Sequence, residues 1–116
     1  MLPKNSRSSL NPGIYELAAR LSKEKENFVL ATVVGTEGST PAEPGAKMII
    51  KRNGSTVGTL GGGCVEHGAK ALAEQSLKDG KLRTMTFALE SASSACGGRV
   101  KVMIEAFHYN RKKTGA

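Results

Sequence analysis

Ile14, Leu17, Ala18 and Leu21 recur at helical spacing behind Asn11-Pro12. Asparagine caps a helix start and proline suits its first position, so a helix ending near Lys25 is predicted. Glu16 and Arg20 fall as an i,i+4 pair on its polar side. The pattern then changes period. Phe28 to Val34, FVLATVV, is a continuous β-rich apolar run, expected of a buried central strand. Met48 to Lys51 and Ser55 to Leu60 flank Asn53-Gly54, a two-residue hairpin signal. Helical spacing returns from Val65 through Ala69, Leu72, Ala73, Ser76 and Leu77, and Asp79-Gly80 ends it. Arg83 to Leu89 alternates, with Met85, Phe87 and Leu89 on one face. Val100, Val102, Ile104 and Ala106 alternate against Arg99, Lys101, Met103 and Glu105, as in a half-buried strand. The order α-β-β-β-α-β-β predicts an α+β fold: a single small domain with a mixed β-sheet packed by two helices. The domain is expected over residues 13–108, between a polar N-terminal arm (1–12) and a basic C-terminal tail (109–116).

A chain of 116 residues, 39% hydrophobic and without tryptophan, builds one modest core from aliphatic side chains. The net charge of +7 suggests an anionic partner until it is located. Between Ile14 and Phe107 twelve lysines and arginines face ten carboxylates, and the other five basic residues lie in the polar ends. Nucleic-acid binders carry basic stripes with interleaved aromatics on a folded face, so no nucleic-acid partner is expected. No apolar run approaches a membrane span and the N-terminus lacks the apolar core of a secretory signal. With only Cys64 and Cys96, no disulfide scaffold is expected, and a cytoplasmic setting follows as the default.

Three loops of small residues each follow a predicted strand: Gly35 to Gly45, Gly61 to Cys64, and Ser91 to Gly98. If strand ends share one rim of the sheet, these loops converge there. Gly61-Gly62-Gly63-Cys64 leads from a strand into a helix, where backbone N–H groups approach an anion with no Cβ in the way. The positive helix end favours a thiolate at Cys64. The other reading is a tight turn with a buried structural cysteine. No GxGxxG or P-loop pattern is present, so a nucleotide fingerprint is not indicated. Cys96-Gly97-Gly98 repeats the theme. Cys64-x-x-His67 has the spacing of half a zinc site, with Cys96, His108 and carboxylates as further candidates, but no metal site is expected. Glu66 is either a base beside the thiol or a dipole-complementing carboxylate. Arg99 is either an anion ligand or an outward strand residue.

GSTPAEPGAKM (Gly38 to Met48), GTLGGGCVE (Gly58 to Glu66) and CGGRVKVMIE (Cys96 to Glu105) together resemble the N-terminal domain of the XdhC/CoxI family, in the same order and spacing. The resemblance covers nearly all of the chain from about Ile14 to Phe107. It implies a maturation factor for molybdenum hydroxylases of the xanthine or carbon monoxide dehydrogenase type. Such a factor transiently binds molybdenum cofactor (molybdopterin) and assists its sulfuration by a cysteine desulfurase or its insertion into the apoenzyme. It is an accessory protein more than a turnover enzyme. Carried onto this chain, Cys64 and Cys96 are the chemical residues. Gly61, Gly62 and Gly63 form a backbone cradle, Gly38, Ser39, Thr40 and Gly45 belong to a loop closing over the ligand, and Gly97 and Gly98 follow the second thiol. The resemblance allows a homodimer.

Two departures stand out. Ala42 occupies a position where many members carry arginine, which removes a charge. Typical members continue into a Rossmann-like domain, so the expectation is a stand-alone domain, a fragment, or half of a split pair with a separate Rossmann partner. Two other functions compete: an interaction module without a ligand, docking on such a partner or on an apoenzyme, and a small thiol-dependent sulfurtransferase.

Overall fold

The computed structural model describes residues 13–88 and 98–109. Its elements follow the expected order: α1 (Gly13–Lys23), β1 (Phe28–Glu37), β2 (Lys47–Lys51), β3 (Thr56–Gly58), α2 (Gly63–Asp79), β4 (Arg83–Ala88) and β5 (Arg99–Phe107). Helix α1 buries Ile14 and Leu21 on the predicted face. It stops at Lys23 because the chain turns back: the Glu26 N–H donates to the Leu21 carbonyl at 2.9 Å and Lys25 takes a left-handed φ of 58°. Gly80 ends α2 at φ 72°, its N–H donating to the Ser76 carbonyl at 2.7 Å. Ser76 is buried on an otherwise apolar helix face. Its hydroxyl donates to the Lys81 carbonyl (2.8 Å) and accepts from Arg83 Nη1 (3.0 Å), so its polarity is satisfied.

The strands form one sheet in the order β3-β2-β1-β5-β4. Every neighbouring pair is antiparallel, so the mixed sheet expected from the sequence is corrected to an antiparallel one. The reason lies in where the crossover lands. Helix α2 joins β3 to β4, and these two strands do run in the same direction. They occupy opposite edges, however, with β2, β1 and β5 between them. Strand β1 also runs three residues beyond Val34, through a bulge between Val33 and Gly35, and the Gly35-to-Glu37 part pairs with Lys101-to-Arg99.

Each face of the sheet carries one helix. Val29, Ala31 and Val33 of β1, Met48 and Ile50 of β2, and Val100, Val102 and Ile104 of β5 pack with Val65, Ala69 and Ala73 of α2. On the other face Ile14 and Leu21 of α1 pack on Phe28 and Ile49, with Leu17, Leu30 and Phe107 around them. Phe28 and Phe107 stand directly opposite in the β1–β5 register and stack, with centroids 4.7 Å apart. Such a pair adds about 0.5–1.5 kcal/mol beyond its buried area. Phe87 joins the α2 core, whereas Met85, on the same face, stays 42% exposed at the sheet edge. Leu89 lies outside the described residues. At the far end of β5, the Tyr109 N–H donates to Asn27 Oδ1 (2.8 Å) and its hydroxyl pairs with Ser22 Oγ (2.8 Å).

Candidate functional site

Antiparallel pairing decides which loops meet. Strand β1 ends at Glu37, opposite Arg99, where β5 begins, and β4 ends at Ala88, opposite the same Arg99. Strand β3 ends at Gly58, opposite Met48 near the start of β2. The 38–46 loop, the 59–62 turn and the start of β5 therefore share one rim.

They also touch. Gly61 has φ +100°, and a Cβ there would fall 2.6 Å from Ala42 Cα, so only glycine lets the two loops close together. A Cβ at Gly98 would sit 2.4 Å from the Ser39 carbonyl oxygen and 2.8 Å from that of Glu37. The first loop is thus held between the other two. It is further braced by Gly45 N–H to the Val33 carbonyl (2.7 Å), Val33 N–H to that of Ala46 (2.9 Å), and Ala42 N–H to Thr40 Oγ1 (3.1 Å). Ala42 is buried. Ser39 and Gly38 are exposed at the loop crest and Thr40 is half-buried.

Gly62 is the N-cap of α2, with extended backbone and no side-chain hydrogen bond capping the helix. Around Gly63 the space is open, with no atom within 4 Å of where its Cβ would lie. Cys64 follows, a free and exposed cysteine, which overturns the reading of a buried structural thiol. The first-turn N–H groups of a helix have no intrahelical acceptor, and here the cap supplies no side-chain acceptor either, beside an exposed cysteine. That arrangement can hold an oxyanion against backbone donors while a thiol lies within reach.

Glu66 proves to be a clamp for the turn. Its Oε2 accepts the Leu60 N–H at 2.9 Å and the Thr59 hydroxyl, while Thr59 Oγ1 accepts the Gly61 N–H at 3.0 Å. One carboxylate on the helix thereby pins the two residues that lead into the glycines and, through Thr59, the first glycine itself. Sequence reasoning missed Thr59 altogether, since a contact seven residues apart across a turn has no periodic signature.

The remaining candidates separate. His67 is exposed one turn further along α2. His108 follows β5, at the end of the sheet away from Cys64; eight residue steps of strand span roughly 26 Å. Its buried Nδ1 has no hydrogen-bond partner among the described residues. Among those residues no three His, Cys, Asp or Glu side chains gather as a metal site. Arg99 extends from the sheet and approaches Glu37 at 3.9 Å, both largely exposed. Cys96 and Gly97 lie outside the described residues, so the second thiol is not placed; Gly98 is the part of that motif seen at the rim.

The family model for the XdhC and CoxI family matches residues 21–88. An uncharacterized protein, YqeB, of Escherichia coli K12 is 34% identical over 96 residues, covering 78% of this chain and 18% of the relative. A probable xanthine dehydrogenase subunit of Bacillus subtilis is 48% identical over 46 residues, 40% of this chain and 14% of the relative. The crystal structure of a xanthine dehydrogenase from Bacillus halodurans superposes with a TM-score of 0.66 at 28% identity, covering 78% of this chain and 29% of that one. The chain therefore spans less than a fifth of the length of the curated relatives it matches. No helix among the described residues is long and apolar enough to cross a membrane. The match over more than half of the chain places this protein in the XdhC and CoxI family.

Proposed function

We propose that this domain serves the maturation of molybdenum hydroxylases by holding the molybdenum cofactor at the loop rim. Family membership and relatives named as xanthine dehydrogenase proteins support the hydroxylase connection. The observation that carries the ligand is the uncapped start of α2, with open space at Gly63 and the free thiol of Cys64 next to it.

The donor set suits the group. Molybdopterin bears a phosphate and an oxyanionic metal centre, and both are accepted by backbone N–H groups at a helix start. Gly63 and Cys64 would supply those donors, Cys64 Sγ would lie against the bound group, and the 38–45 loop would cover it. When bound, the group supplies the molybdenum–dithiolene centre that hydroxylases use. The domain's own work is to bind and orient: the Glu66 clamp fixes the turn, and Gly61 and Gly98 fix the loop that lies beside it. Handover to a hydroxylase apoenzyme, with a cysteine desulfurase supplying sulfur, completes the reading.

The test is to express the chain in a cofactor-producing host, purify it natively, and measure pterin fluorescence after oxidation together with molybdenum by elemental analysis. Wild type is expected to yield both, and Cys64→Ala, at an exposed position, to fold normally and lose most of the pterin. Equal pterin from both proteins removes the thiol from the reading. Pterin from neither, with a hydroxylase polypeptide co-purifying, favours a ligand-free interaction module.

A further inference from the structure

A second concave surface lies away from the rim, between the middle of α2 and the turn joining β2 to β3. It is a cavity of about 390 Å³, within the range of small-ligand sites. We infer that this groove binds a phosphorylated organic ligand, of which a nucleoside diphosphate is the simplest form. The inference does not rest on the proposed function.

Helical spacing brings His67, Lys70 and Glu74 onto the stripe of α2 that faces the turn, where Lys51 and Arg52 meet them. Three permanent cations and a histidine thus surround one carboxylate. Among the described residues the ion pairs are Arg83–Asp79 and Arg99–Glu37, and none involves Lys51, Arg52 or Lys70. With three cations to one carboxylate the groove is net positive, and an incoming anion gains charge-assisted hydrogen bonds there.

Ile50, Ala71 and Leu77 line the groove alongside the charged residues and Asn53, which suits the organic part of a phosphate ester better than a bare ion. Gly54 leaves the turn without a side chain, with nothing within 4 Å of where its Cβ would lie, so a ligand can reach the backbone.

A small ligand fits better than a nucleic acid or an acidic peptide. The cations sit within one turn of hairpin and two turns of helix, whereas a polyanion needs an extended basic track. Beyond Lys51 and Arg52 the neighbouring groove sets Glu24 and Glu26 against Arg20, so no continuous basic track runs on there.

The test uses the isotope-labelled full chain at about 0.15 M salt, where screening suppresses weak surface attraction. It is titrated separately with ADP, inorganic pyrophosphate and hexaglutamate while backbone amide shifts are followed. ADP is expected to saturate and to move the amides of Arg52, Asn53, Gly54, Lys70 and Ala71. The double variant Arg52→Gln/Lys70→Gln should weaken ADP binding by at least about tenfold, since it removes two charge-assisted contacts to the phosphates. Glu74→Gln, which removes the opposing carboxylate, should tighten it, and this arm decides if the double variant does not fold. Pyrophosphate binding as tightly as ADP, an unchanged affinity in either variant, or hexaglutamate binding that ADP cannot displace would each overturn the inference.

Discussion

Replacing Glu66 with alanine isolates the clamp that shapes the glycine turn. Glu66 Oε2 accepts two hydrogen bonds, from the Leu60 N–H and the Thr59 hydroxyl. Leu60 is fully buried, so removing the acceptor leaves its N–H without a partner and with little access to water. A hydrogen bond to a charged group contributes about 1.5–3 kcal/mol. The freed Thr59 hydroxyl can turn to water, so the Leu60 bond dominates; the half-buried carboxylate keeps its loss below the top of that range, and alanine's better helix propensity offsets a few tenths. A net loss of about 2 kcal/mol is expected for Glu66→Ala. Glu66→Gln keeps one oxygen acceptor and should lose about 1 kcal/mol.

Urea unfolding followed by circular dichroism measures this directly. With a slope near 1 kcal/mol/M for so small a domain, the alanine variant's midpoint should fall by about 2 M with the slope unchanged. Hydrogen exchange at Leu60 and Gly61 should accelerate beyond the global change. Two outcomes refute the reasoning: a midpoint within experimental error of wild type, or equal losses for alanine and glutamine. The second would mean that the negative charge, and not the oxygen acceptor that glutamine keeps, does the holding.

Gly98→Ala tests the convergence of the loops. Its Cβ would press on the Ser39 and Glu37 carbonyls, backbone atoms that cannot swing aside, so about 1–3 kcal/mol of destabilisation is expected together with loss of any pterin bound at the rim. Wild-type stability and pterin content in this variant would mean that the contact is dispensable. Asp79 and Arg83 form a two-point ion pair, with N···O distances of 2.8 and 2.7 Å. The hydrogen bonds from Arg83, then that from the Lys81 N–H, hold the Asp79 carboxyl well below its usual 3.8. Depression in the folded state means that its contribution is present above the unfolded value and fades as pH falls below it. Asp79→Asn should therefore lose a small, salt-sensitive stability at neutral pH and converge with wild type in strong acid, and parallel pH–stability curves would refute this.

Much of the architecture was legible because periodicity reports burial. The α1 face, the buried β1 run and the alternation of β5 each depend on residues close in sequence, and each stands as read, whereas the hairpin at Asn53-Gly54 closes over three residues, 52–54, with the Gly54 N–H on the Lys51 carbonyl and the Lys51 N–H on that of Ser55. The ends of elements were less legible. Strand β1 passes its bulge to reach Glu37 because β5 offers partners that far, which is information carried by residues more than sixty positions away. The mixed sheet failed for a related reason. A helix between two strands indicates that they run the same way, but not how many other strands separate them. Likewise the i,i+4 spacing of Glu16 and Arg20 does not become an ion pair, since exposed long side chains gain little by staying together.

At the rim the division is similar. Local sequence sufficed to say that glycines would carry the chain from a strand into α2 and deliver Cys64 at the helix start. It could not say whether the thiol was buried, because exposure depends on what packs across the turn. It could not identify Glu66 as a clamp, because Thr59 and Leu60 become its partners only when the turn closes. Nor could it say that Gly61 rests on Ala42 and Gly98 on Ser39. Those glycines were conspicuous in the sequence, but the atoms that demand them belong to a loop brought alongside by the antiparallel sheet. Composition and spacing determined the elements and the chemistry available at their ends. Tertiary packing alone decided which ends would meet.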